Sequence, residues 1–137
     1  FIVVLNGSFM FASDLLKCIN IPCEVTFIRL ASYSQTESTG SVREIIGLNE
    51  DISGRDVIII EDIVDTGLTM HQLINQINSK EPRSIQIATL LHKPDALCKP
   101  LDMKYIGFNI QNRFVVGYGL DYDGQGRNLD AIYVVTE

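Results

Sequence analysis

Three carboxylates and a turn rich in threonine and glycine lie close together in the middle of this chain. Glu61 and Asp62 directly follow the apolar run 57–60, and Asp65 opens the turn 65–69. Carboxylate oxygens can accept hydrogen bonds from hydroxyl groups or bind a hard cation such as Mg²⁺. Backbone amides at the start of a helix can bind a phosphate, because the positive end of the helix dipole lies there. This spacing therefore indicates a phosphate site beside a metal or hydroxyl site.

A purely structural interpretation of the same residues is also open. Aspartate and threonine are preferred helix caps, so Asp65 and Thr66 can cap a helix while Glu61 and Asp62 only solvate a strand end. Ligands of open α/β sheets bind at the carboxyl ends of strands, where these carboxylates are expected. We therefore favour the functional interpretation.

The elements around this turn follow from apolar periodicity. The run 57–60 is β-branched, as is typical of a strand buried on both faces, and 69–77 has the period of an amphipathic helix. Further apolar runs and one more helical pattern alternate along the chain and predict a mainly parallel sheet with right-handed crossovers. The strand-like runs are 1–5, 23–30, 85–91, 105–110 and 131–135, and the other helix is 9–19. From Lys99 onward the elements are short and rich in glycine, which favours turns and site-forming loops.

Size and composition restrict the class of protein. The chain has 137 residues, 46% of them hydrophobic and 20% charged, which fits a single globular domain over 1–137. No apolar run reaches the length of a membrane span, and the net charge of -6 argues against a nucleic-acid surface, so neither partner is expected. Three cysteines without a CxxC pair favour a reducing cytoplasm and argue against structural zinc.

The polar segment 32–41 lies between two strand-like pieces, 25–30 and 42–46, which can form a long hairpin arm. Such a segment can be an ordinary hairpin tip. Long loops in compact domains are often active-site covers. We therefore favour a lid.

Two residues of the second half carry little signal by themselves. On residue type alone, Phe114 is expected to be a core aromatic and Lys93 a surface charge, since these are the commonest places for such side chains.

The segment Glu61-Asp62-Ile63-Val64-Asp65-Thr66-Gly67-Leu68-Thr69 resembles the phosphoribosyl pyrophosphate (PRPP) signature of the type I phosphoribosyltransferases, in a form close to that of their hypoxanthine-guanine branch. The resemblance continues in register from Leu5 to about Glu137. It implies an α/β, Rossmann-like core with a mainly parallel sheet flanked by helices, a flexible hairpin lid and a partial C-terminal hood. It also implies purine salvage, in which hypoxanthine, and guanine as well, reacts with PRPP to give IMP or GMP and pyrophosphate.

The resemblance assigns the sugar donor to three groups of residues. The loop that holds the 5′-phosphate comprises Asp65, Thr66, Gly67, Leu68 and Thr69. Glu61 and Asp62 take the ribose hydroxyls, directly or through Mg²⁺, and Asp121 joins them near the metal. The pyrophosphate is held by Leu5, Asn6 and Gly7, with a cis peptide between Leu5 and Asn6, and by Arg127. Asn6 departs from the pattern, because relatives often have a lysine or arginine there, which leaves more of the neutralisation to backbone amides and Mg²⁺.

The purine and the proton transfer are assigned in the same way. Asp65 matches the proposed general base near purine N7, and Lys93 matches the lysine that donates to the 6-oxo group. Phe114 matches the ring that stacks on the base, Val115 the backbone that reads its edge, and Ser32-Tyr33 the serine-tyrosine pair of the lid. Relatives form homodimers or homotetramers, and they usually carry an N-terminal hood segment that is expected to be missing here, because the chain begins within an apolar run.

Two other functions remain open at this point. A PRPP-sensing regulator of the same fold would need a nucleic-acid-binding module or a basic face. A transferase for adenine or a pyrimidine would leave Lys93, Phe114 and Asp121 without a shared purpose. The choice among hypoxanthine, guanine and xanthine is not predicted, since backbone contacts separate such substrates only modestly.

Overall fold

The computed structural model describes residues 1–33 and 42–136. Its main feature is a six-stranded sheet in the order β3-β2-β1-β4-β5-β6, in which only β3 runs antiparallel to its neighbour. The strands are β1 (Ile2–Leu5), β2 (Thr26–Tyr33), β3 (Val42–Ile46), β4 (Asp56–Val64), β5 (Ser84–His92) and β6 (Tyr105–Asn109). The prediction of a mainly parallel sheet is confirmed.

The helices cover opposite faces of this sheet. Helix α1 (Phe9–Lys17) follows β1, and its Ala12 packs against Val3 and Ile60. Helix α2 (Leu68–Asn78) follows β4, and its buried residues pack in a second cluster with Ile2, Val4 and Ile59. Because successive side chains of a strand point to opposite faces, this division of β1 places α1 and α2 on different sides.

The last third forms a small second layer near the carboxyl ends of the strands. After β5 comes a 3-10 helix, Pro94–Ala96, and after β6 the short strands β7 (Val115–Val116) and β8 (Tyr133–Val134) pair antiparallel. Strand β8 is shorter than the apolar run 131–135 predicted, and β7 was not predicted. These two strands are the C-terminal part of the expected hood.

The end of β4 differs from the prediction in a way that affects the site. Glu61 and Asp62 were expected after the strand, but β4 continues to Val64 because its ladder with β5 extends to Val64 opposite His92. The two carboxylates therefore belong to a strand, whose backbone fixes them more firmly than a loop would.

The expected hairpin arm is present as β2 and β3, with Ser32 opposite Arg43 and Tyr33 opposite Val42. Ser32 and Tyr33 form the end of β2, and the rest of the predicted lid, 34–41, lies outside the described residues. Neither α1 nor α2, the two α-helices of the described ranges, has the length and apolar character that crossing a membrane requires.

Candidate active site

A cavity of about 340 Å³ opens where β1 and β4 end. From β1 the chain moves to β2 on one side, and β4 later pairs on the other side of β1, so the strand order reverses here. Such a switch point is where open α/β sheets bind ligands. Most of the predicted site residues line the cavity: Leu5, Asn6, Gly7, Glu61, Asp62, Asp65, Thr66, Gly67, Thr69, Asp121 and Arg127.

The turn between β1 and α1 forms one wall of this cavity. The peptide bond between Leu5 and Asn6 is cis, as predicted, and the carbonyl of Asn6 accepts a hydrogen bond from the Phe9 amide. A Cβ atom at Gly7 would lie 1.6 Å from Asp62 Oδ2. Glycine is therefore required at position 7 for the Asp62 carboxylate to lie directly against the turn.

Glu61 and Asp62 are held by the backbone of their own strand. Glu61 is 9% exposed, and its Oε1 accepts a hydrogen bond from the Asp62 amide at 3.1 Å. Asp62 Oδ1 accepts one from the Ile63 amide at 2.7 Å. Both carboxylates line the cavity, and carboxylate oxygens in such a place can accept hydrogen bonds from hydroxyl groups or bind a hard cation.

The loop from Asp65 to Thr69 leads into α2, whose N-cap is neither Asp65 nor Thr66, unlike in the capping interpretation. The residue that caps α2 is Gly67, in a left-handed conformation with φ of 78°. The Leu68 amide donates a long hydrogen bond of 3.4 Å to Thr66 Oγ1, and the N-cap Gly67 has no side chain that could cap the helix. Glycine permits this tight entry, because left-handed φ values are unfavourable for residues with a Cβ atom. The loop therefore presents a helix start beside the carboxylates.

Lys93 contacts Asp65, one of the residues that line the cavity. Its Nζ donates to Asp65 Oδ2 at 3.0 Å, and the Lys93 side chain is 8% exposed, compared with 46% for Asp65. The Lys93 amide donates to the carbonyl of Val64, at the end of β4. The expectation of a surface charge at Lys93 is thus wrong, because the end of β5 lies beside β4 and brings this lysine against Asp65 in the loop 65–69.

Asp121 and Arg127 form the opposite wall and are paired with each other. Arg127 Nη2 lies 2.8 Å from Asp121 Oδ1, and its Nη1 donates to the Gly119 carbonyl at 2.8 Å. A Cβ atom at Gly119 would lie 2.1 Å from the carbonyl oxygen of Gly7. This wall is therefore packed directly on the turn that follows β1.

Phe114 and Val115 are placed beside the cavity lining and are not part of it. Phe114 is 53% exposed, so the expectation of a core aromatic is wrong, and its ring meets Tyr122 edge to face at 5.5 Å. Val115 is buried in a cluster with Leu90 and Leu91. Both residues thus lie outside the lining of this cavity, with Phe114 exposed and Val115 buried.

The charges of the lining favour a cation. Four carboxylates line the cavity, and among its described lining residues Arg127 is the single basic side chain. No three acidic, histidine or cysteine side chains of the described ranges converge as a ready metal site. Mg²⁺ does not need one, because it usually takes one or two carboxylates together with substrate oxygens and water.

Sequence reasoning missed one contact of this region. The Tyr118 hydroxyl donates to Asp14 Oδ2, which joins the last third of the chain to α1, and this hydrogen bond raises the pKa of Tyr118 to about 12. The spacing Gly117-Tyr118-Gly119 signals an unusual backbone, but nothing in the sequence points to Asp14.

Comparison with known proteins agrees with this geometry. Residues 1–123 match the phosphoribosyl transferase domain family. The chain is 48% identical to the hypoxanthine-guanine phosphoribosyltransferase of Mycobacterium avium, over 96% of this chain and 65% of that protein. It is 41% identical to the hypoxanthine-guanine-xanthine phosphoribosyltransferase of Tritrichomonas foetus, over 99% of this chain and 75% of that protein.

A solved structure gives the same result. A hypoxanthine-guanine phosphoribosyltransferase from Bacillus anthracis superposes with a TM-score of 0.86 at 40% identity, covering 98% of this chain and 80% of that one. The family model covers most of the chain, and the motif, the fold and the cavity agree with it. This chain therefore belongs to the phosphoribosyl transferase domain family and, within it, to the hypoxanthine-guanine branch.

Proposed function

We propose that this chain transfers the phosphoribosyl group of PRPP to hypoxanthine or guanine, forming IMP or GMP and releasing pyrophosphate in purine salvage. The observation that carries the proposal is the cavity at the ends of β1 and β4, which gathers the acidic pair, the phosphate loop and the pyrophosphate turn. The names of the relatives support the same reaction. Those names differ over xanthine, so the choice of base is open to measurement.

The donor binds with its 5′-phosphate on the loop from Asp65 to Thr69, where the start of α2 provides amides and a favourable dipole. Its ribose hydroxyls face Glu61 and Asp62. The pyrophosphate lies between the turn at Asn6 and Gly7 and the guanidinium of Arg127. The sugar is thereby held at both ends, which orients its reacting carbon.

The excess of carboxylates in the lining supports a need for Mg²⁺. The donor carries several negative charges, which four carboxylates alone would repel. Glu61, Asp62 and Asp121 are the residues that would hold the ion. When bound, Mg²⁺ neutralises charge that develops on the leaving pyrophosphate.

The acceptor purine lies beside Asp65 and Lys93. Asp65 accepts the proton of the purine ring nitrogen, and Lys93 donates to the 6-oxo group. Their ion pair at 3.0 Å holds both groups next to each other before the base arrives. The half-exposed ring of Phe114 stacks on the base, and the backbone of Val115 reads its edge.

Three further expectations belong to this proposal. Ser32 and Tyr33 belong to a lid that closes over the site, and their position at the end of β2 supports it. A homodimer or homotetramer is supported by exposed apolar side chains on β2 and β3, Phe27 and Ile46, and light scattering would test it. A reducing cytoplasm is supported by three exposed free cysteines, Cys18, Cys23 and Cys98.

The proposal is tested by incubating the protein with PRPP, Mg²⁺ and one base at a time while pyrophosphate release is followed. We expect release with hypoxanthine and guanine, and none with adenine or uracil. Steady-state constants for hypoxanthine, guanine and xanthine then rank the acceptors. Binding of PRPP without release from any base would support the sensing role instead.

A further inference from the structure

An unusual backbone segment separates Val115 from Asp121. Gly117, Tyr118 and Gly119 all have positive φ values, of 104°, 50° and 102°. A Cβ atom at Gly117 would lie 2.0 Å from the Ala131 carbonyl oxygen, and one at Gly119 would meet the Gly7 carbonyl. Both glycines are required by close backbone contacts, whereas a tyrosine with positive φ is uncommon and must be held by its surroundings.

The contacts of Tyr118 show what holds it. Its amide donates to the Leu129 carbonyl at 2.9 Å, and its ring packs against the cluster of Leu90, Leu91, Val115 and Leu120. Its hydroxyl donates to Asp14 Oδ2 on α1, 104 residues away in sequence. The other oxygen of Asp14 pairs with Lys17 Nζ at 2.8 Å, an exposed contact that does not involve the phenol.

We propose that Tyr118 and Asp14 are a positioning pair that holds the purine-side segment 114–121 in register with the pyrophosphate turn. The inference rests on the proposed function, because it assigns the pair a role in placing the acceptor relative to the donor. Helix α1 begins at Phe9, directly after this turn, so a bond from α1 to Tyr118 links the two halves of the site. Tyr118 does not line the cavity, so its role is one of positioning.

The test compares Tyr118→Phe, Asp14→Ala and their double variant with wild type. Each single variant should lower kcat/KM for hypoxanthine about three- to tenfold, as expected for one hydrogen bond. The dissociation constant of PRPP, measured by calorimetry without a base, should change less than twofold. The double variant should be no worse than either single one, because both remove the same bond. Asp14→Asn, which keeps an acceptor, should retain most of the activity.

Lys17→Ala is the matched control, since it removes the other contact of Asp14 and leaves the phenol bond in place. The inference would be overturned if the decreases in kcat/KM of the two single variants multiplied in the double variant. It would also be overturned if Tyr118→Phe left kcat/KM for hypoxanthine unchanged. An inactive wild-type protein would instead contradict the proposed function. In that case the positioning role can still be tested by amide hydrogen exchange. Tyr118→Phe should accelerate exchange in 114–121, and unchanged exchange would overturn the positioning role.

Discussion

The two halves of the site are built on different principles. The donor half, formed by β1, β4 and the loop before α2, consists of contiguous motifs on the ends of neighbouring parallel strands. The proposed acceptor half, Lys93 with the segment 114–120, has little regular structure and is held by contacts to distant parts of the chain, at Asp65, Gly7 and Asp14. In the proposed reaction, donor binding therefore rests on the ends of parallel strands, and acceptor recognition rests on a segment held by distant contacts.

The largest effect is expected where the two halves share one residue, Asp65. Asp65→Asn removes the base but keeps an acceptor for Lys93, so kcat should fall by about 10²- to 10⁴-fold while the KM for PRPP changes little. Steady-state kinetics with hypoxanthine measures both. The control is Asp95→Asn, which removes an exposed carboxylate from the 3-10 helix. Near-normal turnover in Asp65→Asn would contradict the assignment.

A second effect is expected in the donor half alone. Gly7→Ala places a Cβ atom where the Asp62 carboxylate lies, so the side chain must rotate away and the KM for PRPP should rise about tenfold or more. In the double variant that combines Gly7→Ala with Asp62→Ala, the KM for PRPP should be little higher than in Asp62→Ala alone. The carboxylate that the new Cβ atom would displace is then already absent. A full additional loss in the double variant would show that Gly7 acts independently of Asp62. Ser53→Ala, at an exposed position outside the cavity lining, is the control.

A third effect should be confined to the acceptor half. Lys93→Ala should raise the KM for hypoxanthine and guanine about tenfold while the affinity for PRPP stays nearly unchanged, since Asp65 is half exposed and can be solvated after its partner is lost. Calorimetry with PRPP and kinetics with each base separate the two. If Lys93→Ala weakened PRPP binding and base binding equally, the assignment of Lys93 to the acceptor half would be wrong. Lys80→Ala, an exposed lysine after α2, is the control.

The smallest effect concerns acid stability and lies outside both halves. Hydrogen bonds from Arg83 and Ser84 hold the pKa of Asp56 well below its usual range. The folded pKa is below the unfolded value of about 3.8, so this contribution is present above that pH and is lost as the pH falls further. The thermal midpoint should drop less between pH 5 and about pH 3 in Asp56→Asn than in wild type or in Asp102→Asn. Equal drops would show that the exposed pair contributes nothing measurable.

The success of prediction from the sequence differs between the same two halves of the site. Local periodicity located β1, α1 and α2 closely, because each buries one face or both within a few neighbouring elements. It missed the end of β4, since the ladder to β5 keeps Glu61 and Asp62 extended although they are polar. Side-chain placement in the acceptor half was beyond it. Lys93 is buried and Phe114 exposed, against the usual behaviour of both residue types, because distant contacts decide their surroundings.

The close packing of Asp62 against Gly7, and of Gly7 against Gly119, has a consequence for engineering. Three segments far apart in sequence meet through backbone atoms and one carboxylate, with no side-chain volume to spare between them. A library that aims at a different acceptor should therefore keep these three positions fixed and concentrate diversity at Phe114 and its neighbours. Randomising the glycines together with the base-facing residues would mix inactive scaffolds with altered specificities, and screening would not tell them apart.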